Sequence, residues 1–96
     1  MTRENVIEIL RSVADESRLK YKAQTRGIFG SVARGDESEH SDIDVLVDFT
    51  GKADLFDFVG LGLFLEEKLQ RKVDVVTSDN IKGEIRNVVM KDAIYI

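Results

Sequence analysis

Asp42 and Asp44 flank a single isoleucine in an alternating pattern. In extended chain both carboxylates therefore face one way, ~6.5–7 Å apart at the backbone. Alone, such a pair is also what the wet face of a half-buried strand looks like, although Asp is depleted in strands. Two further features give it weight. Asp74 sits in a second alternating segment, Lys72 to Thr77, with Val73 and Val75 on the opposite face. A lone Asp in such a place is costly unless it has a partner. If this segment lies beside the first, three carboxylates converge, and their repulsion raises their own pKa values unless a cation neutralises them. Oxygen-only donors suit Mg²⁺ or Mn²⁺ and not zinc. The other feature is Gly30-Ser31, between a short strand pattern and a helical turn. Glycine lets the chain bend sharply and lets a ligand approach the backbone, and the amides that follow suit an anion such as phosphate. A Gly-Ser pair by itself marks only a turn. A phosphate-facing turn beside an acidic, magnesium-type cluster is equipment for phosphoryl or nucleotidyl transfer.

The elements that must position these residues can be read from periodicity and punctuation. Thr2 caps a helix whose apolar positions Val6, Ile9, Leu10 and Val13 repeat at the helical period. That helix should fade in the charged stretch from Asp15 to Lys22. Thr25 to Phe29 reads as a short strand ended by Gly30, and Ser31 to Ser41 as one helical turn and then a loop. The clearest strand is Ile43 to Phe49, with Ile43, Val45 and Val47 on one face and Asp42, Asp44, Leu46 and Asp48 on the other. Asp54 caps a helix over Leu55 to Leu69, in which Gly60 and Gly62 point to close packing of helix on sheet. Phe56, Phe58 and Phe64 can feed either a core or an interface, and core is the preferred reading. Ile81, Ile85, Val88 and Val89 suggest a last short helix, and Ala93 to Ile96 an edge strand. The alternation predicts an α+β fold, a short mixed sheet with helices mainly on one face, organised as a single domain over residues 1–96.

Composition narrows the function. The chain has 96 residues, with 14 Lys+Arg against 18 Asp+Glu, so 14 − 18 = −4. That acidity argues against holding long nucleic acids by phosphate neutralisation. With no Cys and one His, disulfides and the usual zinc sets are excluded, and a Ser–His triad is improbable. No apolar run approaches the ~20 residues that cross a bilayer, and the start lacks a signal-peptide core, so a cytoplasmic protein is expected.

Gly30-Ser31-Val32-Ala33-Arg34-Gly35, the later Ser41-Asp42-Ile43-Asp44-Val45-Leu46-Val47-Asp48-Phe49, and Lys72-Val73-Asp74-Val75-Val76 resemble the nucleotidyltransferase superfamily that includes DNA polymerase beta. More narrowly the chain resembles the minimal nucleotidyltransferases, small proteins often paired with a HEPN-domain protein. The resemblance covers nearly the whole chain and implies a set of roles. Gly30 and Ser31 would hold a nucleoside triphosphate, ATP in the first instance. Asp42 and Asp44 would ligate two magnesium ions (Mn²⁺ being an alternative), and Asp74 would complete the metal site beside the incoming hydroxyl. A nucleoside monophosphate, AMP, would pass to a tyrosine hydroxyl of a HEPN toxin, making the chain its antitoxin.

Other residues carry weaker signals. Arg34 closes the turn after Ser31, where a guanidinium reaches a phosphate or simply faces water. Asp48 lies two steps beyond Asp44 and is read as solvated or bonded to a neighbouring loop. His40 is read as a surface residue, and the scattered Lys and Arg as serving solubility. A different class of function stays open: a non-catalytic antitoxin that neutralises its partner by binding alone. Oligomeric state is open too, a homodimer included.

Overall fold

A computed structural model of the chain describes residues 2–35, 41–81 and 83–96. Helix α1 spans Arg3–Ser12, and the Thr2 hydroxyl accepts from the Asn5 N–H at 3.1 Å, as its position predicts. Val6 and Leu10 are fully buried and Ile7 nearly so, whereas Ile9 only flanks the core. The charged stretch does not fade. It forms a second helix, α2, over Ala14–Tyr21. Asp15 and Glu16 open it and Arg18 and Lys20 close it, which suits the helix dipole. Glu16–Lys20 at 2.7 Å and Asp15–Arg18 at 3.3 Å add pairs one turn apart. These charges leave no apolar period to detect. Lys22, at φ 57°, ends the helix in a left-handed cap.

Strand β1, Ala23–Phe29, begins two residues earlier than expected because Ala23 is completely buried and pairs with Phe49. A five-residue helix, α3 (Gly30–Arg34), follows directly, then β2 at Ile43–Phe49. Helix α4 spans Leu55–Leu69 behind a capping box in which Asp54 and Asp57 exchange bonds at 3.0 Å. Strand β3 (Val73–Thr77), a 3₁₀ turn (Ser78–Asn80), helix α5 (Gly83–Asp92) and strand β4 (Ile94–Tyr95) complete the chain. Ile81 lies ahead of α5 and is buried, while Val88 on that helix is exposed.

The sheet order is β3-β2-β1-β4, with β2 and β3 parallel and the other neighbours antiparallel. It is the mixed sheet expected. Helices α1 and α4 bury Val6, Leu10, Leu61, Leu65 and Leu69 against Ile28, Ile43, Val45, Val47 and Val75 on one face, and Tyr21 of α2 packs against the same core. Strand β4 can approach β1 only because residue 27 is glycine: a Cβ there would strike the Ile94 carbonyl.

Two expectations for α4 change. Gly60 faces the Tyr21 ring of α2, not the sheet, and a Cβ there would come within 2.8 Å of that ring. Gly62 does face β3, but the nearest atom, on Val75, would be 4.0 Å away. Close approach therefore explains the first glycine and not the second. Gly62→Ala is expected to stabilise the protein by about 0.5–1 kcal/mol through helix propensity. Gly60→Ala should forfeit that gain by displacing Tyr21 from its 5.4 Å packing on Phe64; urea midpoints of the two variants make the comparison. Of the three phenylalanines, only Phe64 joins the core, at 8% exposure. Phe56 is 87% exposed and Phe58 38%.

Candidate active site

The site begins where β1 ends. Phe29 pairs with Asp44, and the chain then turns through Gly30 at φ 74°, a conformation that side chains rarely adopt. The turn also needs the missing side chain for a second reason, since a Cβ on Gly30 would collide with the Asp44 carboxylate. Gly30-Ser31 thus sits directly against Asp44. Phe29, the residue capping α3, contributes no side-chain hydrogen bond to its first amides.

Across the parallel β2–β3 ladder, Asp44 stands in register with Asp74. Neighbouring strands are ~4.8 Å apart, so the two carboxylates rise side by side from one face of the sheet. Asp42 precedes the strand by one residue and is exposed. Burial pushes the Asp44 carboxyl above its ordinary range; repulsion from Asp74 and then Asp42 adds to this, and Arg34 partly offsets it. The turn after α4 anchors both acidic segments. The Arg71 guanidinium donates to the Ser41 carbonyl, the Ile43 N–H donates to the Lys72 carbonyl at 2.9 Å, and the Val73 N–H donates to the Glu66 carboxylate at 3.1 Å.

Among the described residues, no group of three or more acidic or histidine side chains is already arranged around a point that could hold a metal ion. The donor set nevertheless fits a hard dication. It consists of carboxylate oxygens alone, like charge accumulates at Asp44, and the space beside it is kept clear by Gly30. Binding would require the carboxylates to turn toward the ion.

Arg34 reaches Asp92 of α5 at 3.9 Å while its charge is also felt at Asp44. Asp48 pairs with Arg26 of the adjacent strand at 3.6 Å, not with a loop. His40 lies outside the described residues. Sequence reading missed that Arg26 and Arg86 line a cleft of about 590 Å³ on the same sheet face, with Leu46, Met90 and Tyr95 between them. That volume is within the range of ~300–1,000 Å³ typical of small-molecule sites. Asp48 and Asp79 line it as well, so its charges balance: Arg26 pairs with Asp48, and Arg86 donates to the Ser78 carbonyl at 2.9 Å. No local pattern signals it, because the cleft forms only when β4 sets Tyr95 opposite Gly27.

A glycine-hinged turn packed on a register-matched pair of strand carboxylates defines a class of fold and site, and comparison with known proteins gives that class its name. Residues 7–96 match the nucleotidyltransferase domain, and the chain belongs to that family. It is 34% identical over 96 residues to the protein adenylyltransferase MntA of Thermococcus cleftensis, covering 100% of this chain and 97% of that one. A protein of Methanocaldococcus jannaschii, provisionally named a protein adenylyltransferase, is 36% identical over 96 residues, with 99% and 98% covered. A solved structure provisionally named a minimal nucleotidyltransferase superposes with a TM-score of 0.81 at 33% identity, covering 100% of this chain and 97% of that chain. The same fold recurs, at a TM-score of 0.68 and 23% identity, in a crystal structure of a toxin–antitoxin with AMP-PNP, of which 72% of the chain is matched.

Proposed function

We propose that the 96 residues form one Mg²⁺-dependent nucleotidyltransferase domain that moves AMP from ATP onto a hydroxyl, a tyrosine of a HEPN-domain toxin, and so acts as its antitoxin. The observation that carries this reading is the register match of Asp44 with Asp74 beneath Gly30. The relatedness to a protein adenylyltransferase supports adenylyl as the group and a protein as the acceptor.

In this reading Gly30 and Ser31 bind the terminal phosphates through backbone amides and the serine hydroxyl, and Arg34 adds a guanidinium. Asp42, Asp44 and Asp74 would hold the magnesium, two ions in all, which would supply positive charge against the triphosphate oxygens. Asp74 is exposed and stands beside Asp44 on the outermost strand, where an acceptor can reach it. It takes the proton from the acceptor hydroxyl. The new oxygen–phosphorus bond forms at the α-phosphorus, the bond to the β-phosphate oxygen breaks, and pyrophosphate leaves. Among the described residues no helix is long and apolar enough to cross a membrane. The need for ATP and a toxin partner makes the cytoplasm the compartment.

The test is transfer of label from α-³²P-ATP and Mg²⁺ to the product of the neighbouring gene, which this reading expects to be a HEPN-domain protein. Label on a tyrosine of that protein is the expected result. Neutralisation of the toxin without label, retained in full by Asp44→Asn, would instead favour an antitoxin that works by binding alone.

A further inference from the structure

Of the large apolar side chains that the structure leaves exposed, five lie on α4: Leu55, Phe56, Phe58, Val59 and Leu63, at 73%, 87%, 38%, 50% and 63%. Leu55, Val59 and Leu63 recur every fourth residue and so form one stripe along the helix, away from the buried line of Leu61, Leu65 and Leu69. Contiguous exposed apolar surface of this kind is a candidate interaction surface.

The stripe leads to the candidate catalytic carboxylates. Phe58, Val59, Leu63 and Glu66 of α4 face Val73 and Asp74 of β3 across a groove of about 230 Å³. That volume is smaller than the ~300–1,000 Å³ of small-molecule sites and suits one or two side chains of a protein. β3 is an outer strand of the sheet, so the groove wraps the sheet edge and brings the apolar stripe and Asp74 into one surface. The charged residues lining it are Glu66 and Asp74, both acidic. Glu66 also accepts the Val73 N–H, which covers that part of the strand edge and leaves the groove to side chains in place of an added strand.

We propose that this groove is the docking site of the acceptor protein. Its occupant is an apolar segment carrying Lys or Arg beside the hydroxyl to be modified. The proposal rests on the reading of the chain as a transferase acting on a protein hydroxyl, and it adds where that protein sits and what chemistry is recognised. Apolar side chains fill the groove, a basic residue meets Glu66, and the neighbouring hydroxyl arrives at Asp74.

The experiment compares wild type with Leu63→Arg, a substitution at an exposed position that leaves the core intact. Label transfer from α-³²P-ATP is measured against concentration of the acceptor protein of the proposed function, and Mg²⁺–ATP binding is measured by calorimetry. The expected result is a rise of about tenfold or more in KM for the acceptor, with kcat within twofold and nucleotide affinity unchanged. Leu19→Arg, at an exposed leucine of α2 that does not line the groove, should behave as wild type. Transfer by Leu63→Arg with an unchanged acceptor KM would overturn the docking site while leaving the enzymatic reading intact. No transfer by wild type would overturn that reading and the docking site with it. Sedimentation showing a wild-type dimer that Leu63→Arg splits, at unaltered acceptor KM, would assign the groove to a second copy and overturn the proposal.

Discussion

Asp44→Asn is expected to lower adenylyl transfer by about 10³-fold or more while raising the melting temperature of the metal-free protein. The two effects have one origin. Asp44 is half-buried with Asp74 level with it and Asp42 close by, so its negative charge is unfavourable in the folded chain until a cation arrives. The amide keeps the shape and removes the charge, which relieves the repulsion and, in the proposed function, takes away a metal ligand together. The pH dependence follows from the direction of the shift. A carboxyl held above its ordinary value of 3.8 binds its proton more tightly folded than unfolded. Its contribution to stability therefore falls as pH rises from the unfolded range through the raised value. The melting-temperature gain of Asp44→Asn over wild type should be largest near neutral pH and vanish below about pH 3.8, in EDTA. Mg²⁺ should raise the melting temperature of wild type and leave the variant unmoved. A variant less stable than wild type at pH 7 in EDTA would show that Asp44 is satisfied without a cation.

Gly30→Ala should reduce transfer about 10²-fold and destabilise by about 1–2 kcal/mol. At φ 74° an alanine is strained by roughly 1–2 kcal/mol, and its methyl group would also meet the Asp44 carboxylate. The carboxylate must turn away, and displacements near 1 Å at a reacting centre are worth roughly 10²-fold in rate. Gly51 supplies the control. It has a φ of 62°, and an alanine methyl group there would have nothing within 4 Å, so Gly51→Ala carries the strain without the collision. It should lose similar stability and keep its activity. Equal losses of activity in both variants would mean that the Gly30 turn acts only as a backbone hinge.

The parts of this molecule legible in the sequence are those encoded by short-range pattern. Strand β2 is readable to the residue because hydrophobic and acidic positions alternate, with Leu46 the one apolar residue on the acidic face, and α4 because Asp54 and Asp57 announce its start. The shared face of Asp42 and Asp44 follows from the same alternation. Asp74 is conditional: its segment reads as a strand, but only the parallel pairing of β3 with β2 sets it level with Asp44. Helix α2 is hidden because charged residues surround its one fully buried residue, Ser17, so no apolar period betrays it. Phe56 and Phe58 mislead because apolar residues on a helix do not announce whether the chain itself covers them. The Arg71–Ser41 bond and the Arg26–Arg86 cleft join residues far apart in the chain, and no local pattern foretells such meetings.

The central claim is that Asp42, Asp44 and Asp74 close together on a divalent cation next to a triphosphate held at Gly30-Ser31. Crystals grown with Mn²⁺ and a non-hydrolysable ATP analogue test it most directly, because anomalous scattering locates manganese independently of the protein atoms. The expected result is manganese bound by all three carboxylates, with the terminal phosphates on the Gly30-Ser31 turn. Manganese bound elsewhere, or a nucleotide seated away from that turn with Asp74 facing solvent, would contradict the account.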